Sequence, residues 1–319
     1  MLDAIIDKIK TSKKIGISFH CSPDGDSLGS ALALMLGLQK LNKDVYIICK
    51  DALPEIYKFL PSSKEAVGYN DTTTADTDCV IVLDCGNLER VSANLNLEHK
   101  DYTLINIDHH LSNGFYGDLN FVETTASAVG EIVYKLLKLL SIDLNVEIAT
   151  CLYTSIVSDT GGFKHSNTTS ATHEIAGKLI DTRIKFDEIH RILFQNKKFR
   201  RVKLYGKVIE KMYLLHNDRL CVMKLSKEML KEVDLEASDT SDIISIGVDI
   251  ESVEVAILLK ETDEAVKVSL RSKSSVDVRK VAEGFGGGGH IRAAGLTLNT
   301  NLCKAEELVV KAIEKELIR

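Results

Sequence analysis

Residues 15–26, Ile-Gly-Ile-Ser-Phe-His-Cys-Ser-Pro-Asp-Gly-Asp, run from an unbroken apolar stretch directly into a loop carrying one imidazole and two carboxylates. A strand with no polar alternation is one buried on both faces, as in a parallel sheet covered by helices. Residues 44–49, 79–83 and 102–107 have the same character. Between them, residues 27–41 place Leu28, Leu32, Met35, Leu36 and Gln39 at helical spacing, and residues 126–140 do so with Val129, Ile132, Val133, Leu136 and Leu140. Strands alternating with helices predict an α/β fold with a doubly wound parallel sheet.

The polar residues after these strands fall at one edge. His20, Asp24 and Asp26 follow the first strand, Asp84 follows the third, and Asp108, His109 and His110 close the fourth. Open parallel sheets bind ligands outside the carboxyl ends of their strands, so topology gathers residues that are distant in sequence. Asp159 ends a further helical stretch, 147–158, ahead of Gly161 and Gly162, which stop the helix. Each cluster has a bland reading by itself. The first is also a solvated loop, Asp84 also a helix cap, and Asp108-His109-His110 also a surface pair of histidines. A carboxylate at a helix carboxyl end is disfavoured by the dipole, and a metal would account for Asp159 there. Oxygen and imidazole donors without thiolate suit Mn²⁺ or Mg²⁺ rather than structural zinc, so the four clusters together point to a two-metal phosphoesterase site.

The carboxyl-terminal part reads differently. Residues 182–201 become charged and predict a helical connector, with 197–201 as a solvated face. Residues 204–215, 218–225, 253–260 and 265–271 have β character, with helices near Lys227 and Val276 and at the carboxyl end. The predicted domains are 1–185, a connector at 186–202, and a smaller α+β domain at 203–319. Gly286-Gly287-Gly288-Gly289-His290 reads as a helix start whose backbone amides hold an anion.

Composition limits the partners. A net charge of −6 over 319 residues does not suit a protein that grips long nucleic acid through lysine and arginine, but leaves small phosphorylated ligands open. Seven cysteines with no Cys-x-x-Cys pair argue for reduced thiols rather than disulfides or a zinc ribbon. No stretch approaches the roughly 20 apolar residues of a membrane span, and residues 1–10 read as an amphipathic helix start rather than a leader, which predicts a soluble cytoplasmic protein. His99, His165, His173, His190 and His216 have no ligand-like neighbours and read as structural, while Phe194 and Phe199 read as packing for the connector. No P-loop, dinucleotide fingerprint or Ser-His-Asp order occurs.

The four clusters in this order, followed by the glycine run and Ala293-Ala294-Gly295, resemble the DHH phosphoesterase family, and more narrowly its NrnA-type branch, over essentially the full length. The resemblance implies an N-terminal DHH domain, a C-terminal DHH-associated domain and an active-site cleft between them. It implies that His20, Asp24 and Asp84 hold one Mn²⁺, and that Asp26, Asp84, His109 and Asp159 hold another, with Mg²⁺ or Co²⁺ as substitutes. Asp108 would support a ligand histidine and His110 would contact the scissile phosphate. Gly287, Gly288, Gly289, His290 and Arg271 would hold the far end of the substrate, with Arg279 and Arg292 as further candidates. The implied activity is hydrolysis of short RNA oligonucleotides, dimers to pentamers, and of 3′-phosphoadenosine 5′-phosphate (pAp), by a homodimer. RecJ exonucleases would be longer, and family II pyrophosphatases lack the glycine run. A stand-alone phosphodiesterase acting on c-di-AMP or pApA remains as an alternative. A non-catalytic nucleotide sensor is a second alternative, against which the complete ligand set argues.

Overall fold

The computed structural model describes residues 2–68, 70–98, 100–235, 240 and 242–317, and His99 lies outside them. The chain folds as two compact units, Met1–Asn196 and Lys197–Arg319.

The first unit runs α1 (Leu2–Thr11), β1 (Lys14–Ser18), α2 (Gly25–Gln39), β2 (Asp44–Ile47), β3 (Cys79–Leu83), β4 (Thr103–Asp108), β5 (Leu119–Val122), α3 (Val129–Leu139), α4 (Val146–Asp159), α5 (Ser170–Ile180) and α6 (Phe186–His190). Its five strands are all parallel, in the order β2-β1-β3-β4-β5. Every residue of β3 is buried, which is why its sequence is continuously apolar. The chain leaves β1 toward β2 on one side and returns to β3 on the other, so the boundary between β1 and β3 is the switch point where such sheets open a crevice. β5 went unread in the sequence because its four residues are only half buried and form no apolar run.

Helices α2, α3 and α4 pack together over the core, and glycine lets them approach. A Cβ on Gly29 would lie 2.5 Å from the Cys151 carbonyl and 2.9 Å from the Ser155 nitrogen, so α2 and α4 meet nearly backbone to backbone. A Cβ on Gly130 would lie 2.1 Å from Ser155 Oγ, which seats the start of α3 against α4. This closeness sets the height at which the polar amino ends of α2 and α3 meet.

The second unit runs α7 (Phe199–Lys211), β6 (Tyr213–Leu215), β7 (Leu220–Leu225), α8 (Lys227–Glu232), α9 (Ile243–Val248), β8 (Val255–Glu261), β9 (Val266–Ser272), α10 (Val278–Glu283), β10 (Gly288–His290), β11 (Ala293–Leu298) and α11 (Leu302–Leu317). Its sheet is mixed, ordered β10-β11-β9-β8-β7-β6, with β7 and β8 the parallel pair. Two expectations are corrected here. Residues 204–211 belong to α7 rather than to a strand, because Leu204 and Val208, four apart, are the positions buried on one helical face. The glycine run does not open a helix either: it follows α10, and its last two glycines with His290 form an edge strand, β10, antiparallel to β11. Glycine is a poor helix former, and Gly289 at φ +142° adopts a conformation that side chains resist. Residues 197–201 are not simply solvated, since Lys197 and Arg201 pair with Asp242.

Among the described residues no helix is long and apolar enough to cross a membrane. The helix contacts give a paired prediction for chemical denaturation. Gly29→Val should cost about 1–3 kcal/mol by forcing α2 off α4. Gly177→Ala, in α5 with nothing within 4 Å of the added methyl, should instead stabilise by about 0.5–1 kcal/mol.

Candidate metal centre

The carboxyl edge of the first sheet gathers seven polar side chains. Asp24 sits at the N-cap of α2, where its Oδ1 accepts from the backbone nitrogens of Asp26 at 3.1 Å and Ser27 at 3.0 Å. Asp84 follows β3 with a left-handed backbone, φ +52°, a conformation aspartate tolerates better than most residues. His109 and His110 follow β4, and Asp159 ends α4. Asp24, Asp84 and His20 each offer a donor atom within 4.8 Å of the others, and so do Asp26, His109 and Asp159. Asp84 joins the two groups: its Oδ2 lies 3.5 Å from His20 Nε2 and its Oδ1 lies 3.6 Å from His109 Nε2.

Each imidazole is aimed by its other nitrogen. His20 Nδ1 donates to the Cys21 carbonyl at 2.9 Å and His109 Nδ1 to the Ala126 carbonyl at 3.1 Å, which turns both Nε2 atoms toward the carboxylates. Asp108 plays a different part. Its buried carboxylate accepts from the His109 backbone nitrogen at 2.8 Å, from His110 Nδ1 at 2.7 Å and from Asn113 Nδ2 at 2.6 Å. The ring it orients is therefore that of His110. Sequence reasoning did not find Asn113, which also donates to Asn106 Oδ1 at 2.8 Å; an asparagine five residues beyond an aspartate in a loop carries no distinguishing pattern.

Asp26 is almost fully buried, at 1% exposure, and is held by α3 and α4. Its Oδ2 accepts from the Val129 nitrogen at 2.8 Å, and its Oδ1 from the Gly130 nitrogen at 3.2 Å and Ser155 Oγ at 2.6 Å. A carboxylate on the first amides of a helix is favoured by the dipole, which offsets part of the cost of burying it. Cys21 and Cys85, the nearest thiols in sequence, turn away, with their Sγ atoms on the carbonyls of Val91 and Asn87. The donor set is thus carboxylate and imidazole, which fits hard divalent cations of the Mn²⁺ or Mg²⁺ type.

Electrostatics give the same answer. Two carboxylate oxygens within 4.8 Å repel by roughly 3 kcal/mol at an effective dielectric constant near 20. Burial and neighbouring carboxylates accordingly raise Asp26, and burial, partly offset by the histidines, raises Asp84. Burial lifts Asp159 to about 6. Burial opposes charge on His20, yet hydrogen bonds to Asp24 and Asp84 outweigh it and raise the ring to about 11. The cluster recruits positive charge from any source, and bound cations would replace the protons.

In the second unit Arg271 lies in β9, opposite Ala293 of β11. Its guanidinium donates to the Leu270 carbonyl at 3.0 Å, no carboxylate pairs with it among the described residues, and burial pulls its pKa down. Arg279 is engaged by Asp277 and Glu283, and Arg292 donates to the Val276 carbonyl at 2.9 Å. Gly287 and Gly289 are required by packing, since a Cβ would lie 2.3 Å from the Gly295 carbonyl and 2.5 Å from the Ala293 carbonyl respectively. Gly288 is not: nothing lies within 4 Å of its Cβ position. His290 is exposed at the end of β10.

The raised acids set a pH dependence for metal-stripped protein. Asp159 has a folded pKa of about 6 against 3.8 for the unfolded group, so its contribution is complete below 3.8 and is lost as pH rises through about 6. In EDTA the Tm should fall between about pH 4 and about pH 6, and Asp159→Asn should flatten that fall. A wild-type Tm that climbs steadily over this window contradicts the assignment.

Residues 14–156 match the DHH family, N-terminal domain, and residues 217–318 match the DHHA1 domain. A Thermus thermophilus protein named bifunctional oligoribonuclease and PAP phosphatase NrnA is 32% identical over 309 residues, covering 96% of this chain and 90% of that protein. The Bacillus subtilis protein of the same name is 31% identical over 301 residues, covering 93% of each. The crystal structure of an exopolyphosphatase-related protein from Bacteroides fragilis superposes with a TM-score of 0.89 at 27% identity, covering 98% of this chain and 95% of that one. The aspartate and two histidines closing β4, the acidic clusters beside them and the second mixed-sheet domain have one common explanation: the chain belongs to the DHH family.

Proposed function

We propose that the protein is a cation-dependent phosphoesterase that hydrolyses short oligoribonucleotides to mononucleotides and pAp to AMP. The observation that carries the reading is the division of Asp84, one oxygen toward His20 and the other toward His109. His20, Asp24 and Asp84 would hold one ion; Asp26, Asp84, His109 and Asp159 would hold the other, with Mn²⁺ preferred. Two such ions would act as Lewis acids toward phosphate oxygens and lower the pKa of the attacking water. The names of the two NrnA relatives support the choice of ester.

The remaining roles fall to the chain itself. His110 is held by Asp108, whose hydrogen bond is the largest influence raising its pKa. The His110 ring, its pKa raised chiefly by Asp108, is placed to contact the scissile phosphate and, when protonated, to give a proton to the leaving ribose oxygen. Arg271 and the backbone of β10 are proposed to hold a second phosphate of the substrate. A half-buried guanidinium without a carboxylate partner among the described residues, and a glycine whose open face packing does not require, support that role.

The direct experiment compares RNA dimers to pentamers, a 24-mer, pAp, c-di-AMP, pApA and pyrophosphate with Mn²⁺, Mg²⁺ or EDTA. Hydrolysis of the short RNAs and pAp, and loss of both in EDTA, is expected. Activity confined to c-di-AMP or pApA would move the protein to cyclic-dinucleotide turnover, and tight binding without turnover would make it a sensor. Asp84→Ala should remove hydrolysis of every substrate, and His110→Ala should lower kcat by about 10²–10⁴-fold. Gly288→Val should raise KM for a dinucleotide about tenfold or more, the loss of one hydrogen bond to a charged group, while Tm and Mn²⁺ binding stay unchanged.

A further inference from the structure

Residues 126–131 touch two members of the Asp26–His109–Asp159 group directly, and the backbone of the third through Asn167, without offering a ligand to it. The Ala126 carbonyl accepts from His109 Nδ1 at 3.1 Å, and the Val129 and Gly130 nitrogens donate to Asp26 at 2.8 and 3.2 Å. The third link runs through Asn167, whose Nδ2 donates to the Ser127 carbonyl at 3.0 Å and to the Asp159 carbonyl at 3.3 Å. Among the described residues the His20–Asp24–Asp84 group has no such common support: His20 leans on the Cys21 carbonyl, Asp24 on the first turn of α2, and Asp84 follows the end of β3.

What fixes this segment is a buried polar chain. Ser127 Oγ donates to Glu131 Oε1 at 2.5 Å, and Thr172 Oγ1, on α5, donates to Ser127 Oγ at 3.2 Å. Ser127 and Thr172 are at 0% exposure and Glu131 at 2%. A buried carboxylate is costly unless its hydrogen bonds are made, so Glu131 on an otherwise apolar face of α3 needs an explanation beyond packing. Its position supplies one: it clamps the serine whose own carbonyl is tied to Asn167, and through Asn167 to the end of α4.

We propose that Ser127, Glu131 and Asn167 are positioning residues that set the affinity of one of the two cation sites, the one formed by Asp26, His109 and Asp159, and leave the other unaffected. The proposal rests on the two-cation reading above. Groups hydrogen-bonded behind metal ligands typically change affinity by about 10–100-fold when removed. The ligands belong to three different elements; Ser155 ties Asp26 to α4, and the 126–131 segment with Asn167 adds the link to His109, so loosening it should be felt by one ion alone.

The test is a Mn²⁺ titration of the full-length metal-stripped chain, read by electron paramagnetic resonance of free Mn²⁺ and by calorimetry, with Tm measured in parallel. Wild type should bind two ions. Ser127→Ala should weaken one of them about 10–100-fold and leave the second within about twofold. Asn167→Ala, which removes a partly exposed side chain and does not threaten the fold, should give the same one-site signature. Glu131→Gln, which keeps an oxygen to accept from Ser127 Oγ, should bind both ions nearly as wild type does. Equal weakening of both sites, or unchanged binding with Tm lowered, would overturn the proposal by making the segment merely structural. A wild-type chain that binds no divalent cation would instead defeat the two-cation reading on which it stands.

Discussion

Carboxylates that cannot comfortably coexist are held together at the boundary between β1 and β3, and much of the first unit is arranged to make that tolerable. Asp84 is buried, is bent into a left-handed conformation and faces carboxylates in both directions. Repulsion of roughly 3 kcal/mol per close pair is as large as the most that one charge-assisted hydrogen bond typically returns, about 1.5–3 kcal/mol. In the metal-free cluster Asp26, Asp84 and Asp159 are accordingly raised and His20 is raised against Asp24 and Asp84, while Asp24 beside His20 is held down to about 2, so an arrangement costly to the empty fold would become favourable with divalent cations bound. Strain concentrated in this way marks a functional site rather than a stabilising one.

The surrounding fold supplies geometry. The parallel order β2-β1-β3-β4-β5 places the ends of β1, β3 and β4 side by side, so residues separated by up to ninety positions meet. Glycines at 29 and 130 bring α2, α3 and α4 close enough for the first amides of α3 to grip Asp26. The adjacent residues His109 and His110 divide the work. One is turned by the Ala126 carbonyl into the acidic cluster, and the other is held by Asp108, itself fixed by Asn113.

Much of this was legible in the sequence. Continuous apolar runs mark β1, β3 and β4 because both their faces are buried, and a period of 3.6 marks α2 and α3. The acidic and histidine clusters were visible because they interrupt apolar patterns at strand ends, where nothing else accounts for them. Other features carried no local signal. β5 is half exposed; α7 holds only Leu204 and Val208 fully inward among many charged residues, and that spacing, though helical, is short enough to be misread. The glycine run was misread because a stretch without side chains has no periodicity, and its pairing with β11 is a long-range decision. Ser127, Asn167 and Asn113 act through hydrogen bonds to residues distant in sequence or to backbone, which single-residue patterns do not encode.

The measurement that bears most directly on the account is anomalous diffraction at the manganese edge from crystals of the protein grown with MnCl₂. The account predicts two peaks in the first domain, one bounded by His20, Asp24 and Asp84 and the other by Asp26, His109 and Asp159, with an oxygen of Asp84 on each. A single peak, or two peaks that do not share Asp84, would contradict it.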